Sequence, residues 1–91
     1  MVEQALRYMV REMDFDEFIG KQYREPVRLR MEEKLYMYLS AWEGTLIKSF
    51  VVYDATVEEM DDTAMVVHLS FDVVPMYYTE PIRLEKEVLM L

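Results

Sequence analysis

AMVVHLSFDVV, Ala64 to Val74, alternates without interruption, and every other element of the chain takes its place relative to it. Met65, Val67, Leu69, Phe71 and Val73 fall on one side, and Val66, His68, Ser70, Asp72 and Val74 on the other. A period of two with one wholly apolar set predicts a strand that buries that set in a core. The second set mixes an imidazole, a hydroxyl and a carboxylate with two valines, which predicts a solvated face.

Immediately upstream, LIKSFVVYD (46–54) is rich in β-branched and aromatic residues and predicts another strand, with Leu46, Phe50 and Val52 on one face and Ile47, Val51 and Tyr53 on the other. The intervening ATVEEMDDTA (55–64) is polar and acidic. Thr56 and Glu59 stand at capping-box spacing, so a helical turn is expected before a reversal at Asp61-Asp62-Thr63, and the connection reads as too long for a tight hairpin. Downstream, the prolines of PMYYTEP (75–81) interrupt the ladder, and IRLEKEVLML (82–91) alternates again, with Ile82, Leu84, Val88 and Met90 on one face. That alternation is lost in VLML, an apolar run of a kind that chain ends usually lack and that a neighbour is expected to cover.

The first half of the sequence changes period. Val2, Leu6, Met9, Val10 and Met13 recur every three or four residues and predict a helix over 3–13. Asp14 and Glu17 have capping-box spacing, so FDEFIG (15–20) predicts one further turn ended by Gly20, with Phe15, Phe18 and Ile19 plugging the core. FIGKQYREP (18–26) then breaks and restarts the helical pattern within six residues, because Pro26 suits a first turn where its missing N–H is not needed. Glu25 is the expected cap. Val27, Met31, Leu35, Tyr38, Leu39 and Trp42 line one face of this second helix, Arg28 and Glu32 pair on its outer face, and Gly44 stops it. Two helices followed by three strands predict a single α+β domain over 1–91, with both helices on one face of a small, mainly antiparallel three-stranded sheet.

Composition narrows the function classes. With 91 residues, 53% of them hydrophobic, and two glycines, the chain has the makings of one small folded domain. It has no cysteine, which excludes disulfides and thiolate chemistry. No apolar run reaches the roughly eighteen residues of a membrane span, and the charged first residues do not read as a signal peptide. The net charge of −8 opposes unaided binding to a phosphate backbone and favours a protein partner over nucleic acid. Residues 1–45 hold seven Lys and Arg against nine Asp and Glu; residues 46–91 hold three against nine. The densest cations, Lys21, Arg24, Arg28 and Arg30, read either as a solvated helix start or as a docking patch for an acidic neighbour.

Catalytic chemistry is not legible. His68, Ser70 and Asp72 lie about 7 Å apart along one strand at roughly 3.3 Å per residue, too far for a relay, and no nucleophile elbow accompanies them. The acidic run Glu58, Glu59, Asp61 and Asp62 lacks the alternating ligands and glycine of a calcium loop. Neither a metal nor a cofactor is expected, and the nine methionines read mostly as core filler.

FIGKQYREPVRLRMEEKLYMYLSAWEGTLIKSFVVYD, an acidic connection and MVVHLSFDVVPMYYTEPIRL together resemble, in order and spacing, the C-terminal domain of contractile tail sheath proteins of phages and related injection machines. SAWEGTLI resembles the Trp-Glu segment that enters the first strand of baseplate sheath initiators, which share that small fold. The resemblance spans about residues 5–85 and implies a structural, non-enzymatic protein of a virion tail or baseplate, assembled in the host cytoplasm. It implies partners among copies of the chain or other tail, tube and baseplate subunits, whose strands extend the sheet. The chain lacks the arm and outer domains of a full sheath subunit; its length favours the initiator and its strands the sheath. On this reading the partner interface comprises Lys21, Arg24, Arg28 and Arg30 together with Ile82, Leu84, Val88, Leu89, Met90 and Leu91. The alternative is an acidic mimic of nucleic acid that blocks a binding surface, for which IRLEKEV supplies only Glu85 and Glu87; a small enzyme comes last.

Overall fold

A computed structural model describes residues 2–91. Helix α1 spans Val2–Arg11, a short 3-10 turn spans Asp16–Phe18, and helix α2 spans Glu25–Trp42. Strands β1 (Ile47–Val52), β2 (Thr56–Glu59), β3 (Met65–Pro75) and β4 (Ile82–Met90) follow. All four form one antiparallel sheet in which β3 pairs with each of the others. Phe71 stands opposite both Val52 and Leu84, and His68 opposite both Thr56 and Glu87. β1 and β2 therefore lie end to end along one edge of β3, and β4 lies along the other. The architecture is α+β, with four strands arranged three abreast.

The core is the face of β3 that its alternation marked out. Val67, Leu69, Phe71 and Val73 are buried, Leu84, Val88 and Met90 continue that face on β4, and Ile47 extends it on β1. Leu6 and Val10 of α1, Met31, Leu35, Leu39 and Trp42 of α2, and Phe15 and Phe18 from the segment between close it from above. Each fully buried large apolar side chain contributes about 1.5–3 kcal/mol, so this one cluster supplies the driving force for folding.

Local chemistry sets the boundaries. Gly20 and Gly44 adopt φ of 78° and 89°, the left-handed conformation that ends a helical turn without a Cβ penalty. Arg24, in extended conformation, caps α2, and Glu25 and Pro26 are already inside its first turn, so the cap lies one residue before the expected Glu25. The Asp14 carboxylate accepts the Asp16 N–H, while Glu17 reaches across to Lys34 at 2.8 Å instead of closing a capping box. Ile19 is exposed and plugs nothing.

Three further expectations are corrected. Residues 56–59 form strand β2 and not a helical turn, because their backbone pairs in register with Met65–His68. The Asp61 carboxylate accepts N–H bonds from Thr63 and Ala64 at 2.8 and 2.9 Å, which folds residues 60–64 into a hairpin loop. In β1 the register shifts between Ile47 and Ser49, and this bulge turns Ile47 onto the same core side as Phe50 and Val52. Finally, alternation survives in VLML: Val88 and Met90 are buried while Leu89 and Leu91 are exposed.

Candidate functional site

Four helix-free features remain exposed on this scaffold: two sheet edges, the open sheet face and the β3–β4 loop. The β4 edge is closed at its C-terminal end. Gly20 N–H donates to the Leu89 carbonyl, Leu91 N–H to the Lys21 carbonyl, and Tyr23 N–H to the Leu91 carbonyl, at 3.1, 2.8 and 2.9 Å. The GKQY segment between the helices thus runs alongside the end of β4 like a short parallel strand. This accounts for the abrupt punctuation of FIGKQYREP: the chain leaves one helical turn, covers a sheet edge and re-enters a helix.

The opposite edge has no such cover. The Met60 N–H bond to the Ala64 carbonyl fixes the phase of the β2–β3 ladder. Because antiparallel pairs alternate, the N–H and C=O groups of Val57 and Glu59 then point away from β3. Among the described residues nothing pairs with them, and all four side chains of β2 are exposed.

The sequence-predicted interface residues do not form one patch. Arg28 is held by Glu32 at 2.8 Å and Glu25 at 3.5 Å, and Arg30 approaches Glu17 at 3.8 Å and lies over the Phe18 ring. Arg24 folds onto the Gln22 side-chain oxygen. Among the described residues, Lys21 and Arg24 form no ion pair with a carboxylate, so they carry what is left of the cationic patch. On β4, Leu84, Val88 and Met90 lie in the chain's own core and offer no surface in this fold; Ile82 is half-buried, and Leu89 and Leu91 are exposed.

The open face of the sheet carries two side-chain constellations. At one end Tyr53 O–H donates to Asp72 at 2.6 Å, the Arg83 guanidinium donates to the same carboxylate, and Arg83 stacks over the Tyr53 ring. Hydrogen bonds from Arg83 and Tyr53 hold the Asp72 carboxyl below its usual pKa. At the other end His68 sits among three carboxylates. Its Nε2 is 3.2 Å from Glu58, its Nδ1 is 2.6 Å from Glu85 and 3.8 Å from Glu87. Burial disfavours the charged imidazole, but the hydrogen bond between Nε2 and Glu58 and the negative charges of Glu85 and Glu87 outweigh it and push the pKa above the ordinary value. The partners of His68 are therefore carboxylates of the neighbouring strands and not Ser70 or Asp72 of its own. His68, Glu85 and Glu87 present ligand atoms that all lie within 4.8 Å of one another.

Sequence reasoning missed the grouping of His68 with Glu58, Glu85 and Glu87 because its members come from three strands; only the register brings Glu87 opposite His68 and Glu85 opposite Ser70. It also missed Tyr77, which is 93% exposed and has φ of 69° in the turn closed by the Tyr78 N–H bond to the Pro75 carbonyl. The sequence held no signal for it: proline favours the second position of such a turn, whereas Pro75 stands at the first and Tyr77 occupies the third, which usually takes glycine. No described helix is long and apolar enough to cross a membrane. Compared with protein families, with curated proteins and with solved structures, the chain matches none of them.

Proposed function

We propose that this protein is a structural assembly component that joins its neighbours by strand addition, with the sheath-like subunit or sheath initiator of a contractile tail or injection machine as the specific role. On this reading it works in a virion tail or baseplate and carries out no catalytic step. The observation that carries the proposal is the bare edge of β2, whose outward N–H and C=O groups at Val57 and Glu59 form a template for another extended chain. This moves the expected joint away from Val88–Leu91, whose edge GKQY already occupies, to the opposite side of the sheet. Glu58, Glu59, Asp61 and Asp62 make that edge acidic, so the incoming strand carries lysine or arginine. The carboxylates of the open face converge on one histidine instead of forming a spaced row, which weighs against the nucleic-acid mimic.

Val57→Pro tests the proposal. Proline at an edge position whose N–H faces outward is tolerated by the host sheet but removes a donor from the template. The variant is expected to remain folded by circular dichroism and to give no tubes or baseplates in negative-stain images of the chain co-expressed with its neighbouring gene products. Normal assembly of the folded variant overturns strand addition at this edge, and a soluble complex with a nuclease or polymerase in place of particles supports the mimic.

A further inference from the structure

The three carboxylates around His68 leave its ring with an unsatisfied nitrogen. Both ring nitrogens face carboxylates, which only accept, and a neutral imidazole has one proton; the contact with hydrogen-bond geometry is Nε2 to Glu58 at 3.2 Å, so we assign the proton to Nε2 and a lone pair to Nδ1. Nδ1 is shut off from solvent and makes no aligned hydrogen bond, although Glu85 Oε1 stands 2.6 Å away and Glu87 Oε1 3.8 Å away. A lone pair facing two anionic oxygens is repulsive unless something positive lies between them. Glu85 and Glu87, two residues apart on one face of β4, also repel each other.

We propose that His68 Nδ1, Glu85 and Glu87 bind one divalent transition-metal ion, Zn²⁺ being the first choice, with Glu58 as the outer carboxylate that orients the imidazole. Each element of the geometry then has a use. A neutral imidazole whose second nitrogen donates to a carboxylate is the arrangement that fixes the tautomer and strengthens a metal-ligating histidine. A tetrahedral ion with bonds of about 2.0–2.1 Å holds its ligands about 3.3 Å apart, so relative to Nδ1 Glu85 retreats from 2.6 Å and Glu87 advances from 3.8 Å, while the two carboxylate oxygens, within 4.8 Å of each other, draw together. Both are ends of flexible side chains, 42% and 62% exposed, while the imidazole is 20% exposed and held on the central strand. The set of one nitrogen and two carboxylates suits zinc and its neighbours; calcium and magnesium want more oxygen ligands. The exposed side leaves a fourth position for water. Protonation of Nδ1 is the other way to satisfy the same geometry, so proton and ion compete for one lone pair.

Titration calorimetry of the untagged full chain with ZnCl₂ at neutral pH, in excess Mg²⁺, is the test. One equivalent is expected to bind, with affinity lowered at least tenfold in His68→Ala and in Glu87→Gln and about tenfold in Glu58→Gln, in line with the usual loss on removing an outer partner. Asp62→Asn, in the acidic hairpin loop, is expected to bind as the parent does. In ¹⁵N spectra of the imidazole, Zn²⁺ is expected to shift Nδ1 while Nε2 keeps its proton. Absence of uptake, full affinity in Glu87→Gln, or an Nδ1 resonance unmoved by the ion overturns the assignment. Glu87 is an exposed side chain, so that variant decides even if His68→Ala fails to fold.

Discussion

Tyr77 holds a conformation that costs an L-residue about 1–2 kcal/mol, and its ring, almost fully in solvent, recovers nothing from packing within the chain. Tyr77→Gly is therefore expected to stabilise the protein by about 1 kcal/mol, a rise of about 4–8 °C in melting temperature for a domain of this size. A calorimetric scan that shows no rise removes the strain argument; loss of co-assembly in the stabilised variant identifies the ring as a contact. Asp72 carries a second prediction. Its folded pKa lies below the ordinary 3.8, so its contribution to stability is complete above that value and is lost as pH falls through the depressed one. Asp72→Asn should flatten the acid limb of the stability profile in that window and leave it unchanged in shape near neutrality, as urea melts at several pH values will show. At this scale the sequence was readable wherever a residue answers to its neighbours in the chain: Gly20 and Gly44 as stops, Arg28 with Glu32 as a pair. His68 and Asp72 were unreadable because their partners arrive from other strands.

The elements divide in the same way. β3 was legible over its whole length because an eleven-residue alternation admits no other period, and α2 because its buried residues recur at helical spacing over 18 residues. β2 was misread since Thr56 and Glu59 satisfy a local capping pattern that pairing with β3 overrides. The faces of β1 were misread because one inserted residue reverses the parity of everything before it. The end of β4 was read as an apolar run awaiting a neighbour, whereas Val88 and Met90 are core and the GKQY segment bonds to the backbone at Leu89 and Leu91. Deleting Val88–Leu91 thus removes two buried side chains worth about 3–6 kcal/mol together, a large part of the 5–15 kcal/mol that holds a typical domain folded. The truncated chain is expected to be unfolded or strongly destabilised in circular-dichroism melts. A truncated chain that melts like the parent but no longer assembles would restore strand exchange through these residues.

Across the whole molecule, a net charge of −8 makes copies of the chain repel, so any assembly contact needs local positive charge to offset it. The ten cations are not equally available for this. Arg28 and Arg30 are engaged by Glu25, Glu32 and Glu17, and Arg83 by Asp72; Lys21 and Arg24 sit on and beside the segment that covers the β4 edge, with no carboxylate partner among the described residues. Reversing Arg28 would leave Glu25 and Glu32 facing a like charge one turn away on α2, so its effect on assembly would be confounded with lost helix stability. Lys21→Glu with Arg24→Glu avoids that confusion. The pair breaks no internal ion pair and is expected to change stability by no more than about 0.5 kcal/mol, the usual range for surface substitutions away from special features. It takes the net charge from −8 to −12 and removes the two cations of the Lys21–Arg30 cluster that form no ion pair among the described residues. Co-assembly is expected to fall sharply in the double variant, and in the parent to weaken as salt rises, because exposed charges are screened over about 8–10 Å at ordinary ionic strength. Particle counts by sedimentation at low and moderate salt, beside melting curves, measure both. A double variant that melts like the parent and assembles like it at both salt levels would show that these cations are merely solvated and that the partner reads another part of the surface.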